Sequence, residues 1–267
     1  TEETKAHYER FRGFVSKVSD CILYGGRTAQ QDGITYQNSN DLPIPMSYPI
    51  FFGSDATAAA KKEVTRDDNK ILKRLGISGP FLLTVGTIEY RKNHETLYRA
   101  YLRMMEKYDD LPQMVFAGHP GWRTSNILET IRNDERVKDK IIIYAPTDEE
   151  LDVLYRHCEF SILPSLYEGW SLTLPESLSY GKLCLCCDTP PLRETAGDLA
   201  DYISAYDEKN WCERIMYYHS NSNELRKRED LIRTKWHITT WNECASQVLV
   251  YLLELAKTTN STTMKGA

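Results

Sequence analysis

Between residues 81 and 187 short apolar runs alternate with helix-like stretches in a regular beat. The runs are residues 81–85, 114–117, 141–144, 160–163 and 183–187. Each is continuous instead of alternating with polar positions, as strands covered on both faces require. Strand and helix taking turns in this way predict an α/β fold, a Rossmann-like doubly wound parallel sheet.

The intervening stretches carry helix signals. Leu97, Ala100, Tyr101, Met104, Met105 and Tyr108 fall on one face at helical spacing, behind Asn93 as the candidate cap. Thr147-Asp148-Glu149-Glu150 and Thr240-Trp241-Asn242-Glu243 have the order of capping boxes and predict helix starts. Residues 1–32 read as helix, strand (21–24) and short helix. From 34 onward the Pro, Asn and Gly punctuation reads as a linker, with a boundary near 53. The expected organisation is thus 1–53, a main domain over 54–257 and a polar, low-complexity tail at 258–267 that is expected to be disordered.

With 41% hydrophobic and 27% charged residues the composition is that of an ordinary globular protein. The net charge of −5 gives no overall positive field for nucleic acid, so any anion site must be local. No apolar run approaches the roughly 18 to 20 residues that span a bilayer, and the first residues lack the order of a signal peptide. Seven cysteines, among them Cys184, Cys186 and Cys187, have no zinc spacing and read as buried strand thiols. Reduced thiols point to the cytoplasm.

Two constellations carry candidate chemistry. In residues 85–97 a strand ends at Gly86 and a loop with Arg91 and Lys92 leads to the helix behind Asn93. A glycine allows close backbone approach, and two cations beside a helix N-terminus can hold a diphosphate. The same pattern also describes a merely exposed basic loop. In residues 163–182 a strand end is followed by Glu168, Gly169 and a short loop. A helix then begins between Thr173 and Pro175, with Glu176 in its first turn. Amides at that point suit an oxygen-rich anion, and a carboxylate accepting two hydroxyl protons suits a ribose diol.

Taken together, VG-loop-RKN, AGxxGW, a D-E-E-L-x-x-L-Y helix and PSLYEG with a second glutamate eight positions on resemble the group 1 retaining glycosyltransferases of GT-B fold. The match runs over residues 79–203. The resemblance implies that Glu168 faces the transferred sugar, that Glu176 binds the ribose, and that the backbone of Gly169, Trp170, Ser171 and Leu172 meets sugar and phosphate. It implies that Arg91 and Lys92 hold the diphosphate below Gly86, and that the stretch from Tyr144 through Pro146 to Thr147 flanks the base. Many relatives carry arginine where this chain has Thr87, which shifts the phosphate grip toward Arg91 and Lys92. His119, in the Gly118–Trp122 loop, is a candidate nucleotide neighbour or a plain loop residue.

The resemblance further implies that residues 1–53 are the end of an acceptor-binding domain whose bulk lies upstream, so that the isolated chain would be inactive. The reaction would be retaining transfer of a hexose, mannose ahead of the others and GDP-mannose ahead of UDP-sugars. The acceptor would be a saccharide or a lipid-linked sugar, in bacterial surface-polysaccharide synthesis. No cofactor, metal or nucleic-acid partner is expected, and membrane contact would run only through the upstream half, peripheral to the inner membrane. Two other classes share the same handling of a diphosphate: a sugar-nucleotide epimerase or phosphorylase, and a non-catalytic sugar-nucleotide-binding domain. Product mass separates the first, and absence of turnover the second. A dinucleotide dehydrogenase is disfavoured, because no G-x-G-x-x-G follows a strand.

Overall fold

A computed structural model describes residues 2–54 and 66–263. The chain divides into two compact units, Thr1–Gly53 with Thr239–Ala267, and Ser54–Ile238.

In the first unit, α1 (Glu2–Val18) leads to β1 (Cys21–Gly25), α2 (Arg27–Ser39) and β2 (Met46–Ile50). β1 and β2 pair in parallel, Cys21 opposite Met46 and Gly25 opposite Ile50, with α2 as the crossover. The expected linker from residue 34 is therefore corrected: residues 34–39 complete α2 and 46–50 are a strand. Tertiary contact overrides the punctuation. Gly33 fits within α2 because the Tyr24 ring lies where a side chain would go, 2.3 Å from an ideal Cβ, and Pro49 is tolerated because β2 pairs with β1 alone among the described residues.

In the second unit, α3 (Arg66–Arg74) precedes β3 (Phe81–Val85), α4 (His94–Lys107), β4 (Gln113–Ala117), α5 (Ser125–Asn133) and β5 (Ile141–Tyr144). There follow α6 (Asp148–His157), β6 (Ser161–Leu163), α7 (Thr173–Ser179), β7 (Cys184–Cys187), α8 (Pro190–Ala196), β8 (Asp201–Ile203), α9 (Glu208–Ser220) and α10 (Ser222–Lys235). The strands form a six-stranded sheet in the order β5-β4-β3-β6-β7-β8, parallel throughout. This is the doubly wound α/β sheet that the apolar runs predict. Strand alternation feeds two cores. Leu82, Met114, Phe116 and Ile162 pack with Trp211 and Ile215 of α9, whereas Phe81, Leu83 and Val115 pack with Leu154 and Tyr155 of α6. β8, three residues long, has too short an apolar run to stand out in the pattern.

Both capping boxes form. Glu150 N donates to Thr147 Oγ1 (3.3 Å) and Thr147 N to Glu150 Oε2 (2.8 Å), and Glu243 N and Thr240 N do the same at 3.2 and 2.7 Å. The second box opens α11 (Trp241–Thr263), which belongs with the first unit, so the main domain ends at Ile238 and not at 257. α11 continues through residues 258–263, and 264–267 lie outside the described residues. Cys184, Cys186 and Cys187 are buried and free on β7, as are Cys158, Cys212 and Cys244 elsewhere.

Candidate functional site

From β3 the chain builds outward through β4 and β5, then returns to place β6 on the other side of β3. The strand order thus reverses between β3 and β6, and open α/β sheets put their ligands in the crevice at the carboxyl ends of such a pair. The two motif loops, 86–93 after β3 and 164–172 after β6, both emerge there.

The first loop is braced by the loop after β4. Gly86 N donates to Ala117 O (3.0 Å), Ile88 N to His119 O (2.8 Å) and Gly121 N to Ile88 O (2.6 Å). The approach is close enough that a Cβ on Gly118 would lie 2.0 Å from Gly86 O, and one on Gly121 2.5 Å from Thr87 Cγ2. Gly86 itself has φ +127, a backbone conformation open to glycine. A 3₁₀ turn, Tyr90–Lys92, then carries the cations. Asn93 stands at the N-cap of α4, but with left-handed φ 53 and no side-chain bond to the helix amides. Its Oδ1 instead accepts from Thr96 Oγ1 (2.9 Å), and its Nδ2 donates to Ala205 O (2.9 Å). Asparagine tolerates that backbone region. Of the predicted α4 stripe, Tyr108 lies past the helix end and is exposed.

At the crevice the two loops meet through charge. Lys92 Nζ donates to Glu168 Oε1 at 2.7 Å, and Arg91 NH1 lies 2.7 Å from Glu168 Oε2. Arg91 also pairs with Glu89 (2.7 Å) and donates to Tyr167 O (2.8 Å), while Leu166 N donates to Arg91 O (2.8 Å). Glu168 is only 5% exposed and Lys92 9%. Glu176, on the first turn of α7, accepts from the Tyr155 hydroxyl (3.1 Å). Burial raises its pKa, and the Tyr155 hydrogen bond and the Lys92 charge oppose that rise.

Several buried polar atoms around the same strand ends have no hydrogen-bond partner among the described residues: Thr84 Oγ1, both ring nitrogens of His94, Ser165 Oγ and Ser171 Oγ. Buried polar groups are normally satisfied, so a polar ligand has groups to meet here. His94 packs edge-on against Phe116, with ring centroids 4.8 Å apart. Burial, helped by the Lys92 charge, lowers its pKa to about 3 and keeps it neutral.

The remaining candidates are more peripheral. His119 and Thr87 are exposed. The Tyr144 hydroxyl is engaged by the Glu150 carboxylate (3.1 Å to each oxygen), and its carbonyl accepts from Gly118 N (2.8 Å). Pro146 and Trp170 are half-buried, whereas Gly169 and Leu172 are exposed, Gly169 with open space around its ideal Cβ. The motifs gave no role to Glu89, Tyr155 or His94. Glu89 could have been found two positions before Arg91. Tyr155 closes the D-E-E-L-x-x-L-Y run, but its partner lies 21 positions away on another helix, so no local pattern gives it that contact.

The family model described as Glycosyl transferases group 1 matches residues 67–235. The O-antigen chain mannosyltransferase B of Escherichia coli is 32% identical over 173 residues, covering 63% of this chain and 44% of the relative, so the chain spans less than half of that protein. Among solved structures, a glycosyltransferase from Rickettsia africae superposes with TM-score 0.72 at 15% identity, covering 93% of this chain and 67% of the other. Anabaena HepE, solved with UDP and glucose, superposes with TM-score 0.71 at 10% identity, covering 89% of this chain and 64% of the other. Both likenesses are of fold.

Proposed function

The chain belongs to the group 1 glycosyl transferases, of GT-B fold, and on that premise we propose that it handles the donor half of a retaining hexosyl transfer. A nucleoside diphosphate hexose, mannose ahead of the others, would give its sugar to a saccharide or lipid-linked acceptor in bacterial surface-polysaccharide synthesis. The observation that carries this reading is the meeting of Lys92, Arg91 and Glu168 at the switch point between β3 and β6.

In the ligand-free fold Glu168 neutralises the two cations. A bound diphosphate takes over Arg91 and Lys92, which leaves the Glu168 carboxylate turned to the sugar. As the bond from the anomeric carbon to the diphosphate oxygen breaks and that to the acceptor oxygen forms, charge grows on the leaving diphosphate, which takes up the proton that the acceptor hydroxyl loses. Fixed cations in a buried site stabilise that charge at the moment it develops. Glu176, held by Tyr155 through one oxygen, offers its remaining lone pairs to the ribose hydroxyls. The unpartnered hydroxyls of Ser165 and Ser171 are further contacts for sugar or phosphate oxygens.

Mannose leads because the E. coli relative is named a mannosyltransferase, whereas HepE holds UDP and glucose. Titration calorimetry with GDP, UDP and ADP and their hexose conjugates tests the reading. GDP-mannose is expected to bind best, and the absence of binding by all three nucleotides at millimolar concentration would sink the assignment.

A further inference from the structure

Beside the ion-paired loops lies a cavity of about 220 Å³ lined by Tyr90, Glu95, Arg99, Leu166, Tyr206 and Glu208. Two features set it apart from an incidental surface hollow. The first is aromatic. Tyr90 is 58% and Tyr206 68% exposed, and both line the cavity. Two large rings are thus left uncovered side by side, although the domain has a full core in which aromatic area is stabilising.

The second feature is the order of the polar wall. Glu95 pairs with Arg99 (2.6 Å), Arg99 reaches Glu208 (3.8 Å), and Glu208 pairs with Arg103 (3.0 Å). The charges alternate, with Arg103 pairing Glu208 from outside the lining, so the cavity itself presents two carboxylates and one guanidinium, and each carboxylate keeps lone pairs to accept further protons. The loop that bears Tyr206 is tied down from both ends. Ala205 O accepts from Asn93, the left-handed residue after the 3₁₀ turn, and Asp207 caps α9 by accepting from Asn210 N. The rings are therefore held on pinned backbone.

A wall of ion-paired donors and acceptors facing two aromatic rings complements a sugar ring, which is apolar on its C–H face and polar around its rim. A polyphosphate would meet two carboxylates, and an acyl chain would strip water from three charges at high cost. The volume is below the roughly 300 to 1,000 Å³ of sites for drug-sized ligands, which suits one hexose unit and not a nucleotide. The wall is also continuous with the reactive loops: Tyr90 immediately precedes Arg91, and Leu166, two residues before Glu168, donates its amide to Arg91 O.

We propose that the Tyr90–Tyr206 cavity is a saccharide subsite that holds a neutral hexose unit of the acceptor chain other than the one that reacts. The proposal rests on the hexosyl-transfer reading given above. A subsite on the turn that carries Arg91 and Lys92 would let the acceptor's own body fix its reacting end against the donor, so that binding energy remote from the reaction serves orientation.

The test is titration of the chain with linear α-linked tetraoses of mannose and of glucose, read by calorimetry and by saturation-transfer NMR, with GDP titrated in parallel. Tyr206→Ala and Tyr90→Ala are each expected to weaken binding of the better tetraose about tenfold, as loss of a stacking ring does. Tyr206→Phe, which keeps the ring, is expected to bind as wild type, and GDP affinity is expected to be unchanged in all three. Tetraose affinity unaltered in both alanine variants would overturn the subsite, as would a wild-type chain that binds GDP but neither tetraose. A wild-type chain that binds no nucleotide would instead overturn the hexosyl-transfer reading, whatever the tetraoses do.

Discussion

Lys92 and Glu168 stand 76 positions apart and meet at 2.7 Å, each almost fully buried. Removing one partner of a buried pair leaves an uncompensated charge, which costs about 3 to 5 kcal/mol. Arg91 still pairs with Glu168 in Lys92→Met, so that variant is expected to lower unfolding free energy by less, about 1 to 3 kcal/mol in urea titrations. Arg91, whose side chain is about two-fifths exposed, can turn to solvent, so Arg91→Met is expected to cost about 1 kcal/mol or less. Equal losses in the two variants would show that the pair is not buried in solution.

Glu176→Ala removes the carboxylate assigned to the ribose while leaving Tyr155 room to rearrange. Nucleotide affinity is expected to fall by about 1 to 3 kcal/mol, the range for a hydrogen bond to a charged group, with the thermal midpoint little changed. Calorimetry on variant and wild type decides it, and equal affinities would release Glu176 from that role.

Gly118→Ala places a methyl group 2.0 Å from Gly86 O, where backbone must move. The expected loss is about 1 to 3 kcal/mol, as for overpacking elsewhere. Gly169→Ala meets nothing within 4 Å and is expected to unfold at the wild-type temperature. Scanning calorimetry of the two variants side by side checks the contrast.

His94 makes stability depend on pH. Its folded pKa of about 3 lies below the ordinary 6.5, so between those values the unfolded chain holds a proton that the folded chain does not. Its contribution is complete above pH 6.5 and is lost as pH falls toward 3. The slope is about 1.4 kcal/mol per pH unit, or about 2 kcal/mol between pH 6.5 and 5. His94→Leu is expected to flatten the curve by about one proton in that window. Parallel curves for the two proteins would mean that His94 charges in the folded state.

The parallel sheet was legible because its buried strands are continuous apolar runs, and the crevice because Gly86, Arg91, Lys92, Glu168 and Glu176 sit at strand-to-helix junctions. What the pattern could not show is pairing across distance. Arg91 and Lys92 read as free cations, yet in the fold they hold Glu168, since only the strand order brings the two loops together. Residues 34–50 misread as a linker for the same reason. Gly33 and Pro49 are breakers locally, and it takes the Tyr24 ring and an edge position in the sheet to make them fit.

The thiols of β7 have one more consequence. Cys184, Cys186 and Cys187 lie in a central strand out of reach of water-borne reagents, and burial pushes the Cys187 pKa up to about 12. A maleimide or a disulfide reagent reaches them only when the strand comes loose, so the rate of labelling counts openings of the sheet itself. Each protein molecule therefore carries its own stopwatch. Mass spectrometry of labelled protein, with and without nucleotide, would time how firmly a ligand at one end of the strands holds the whole layer shut.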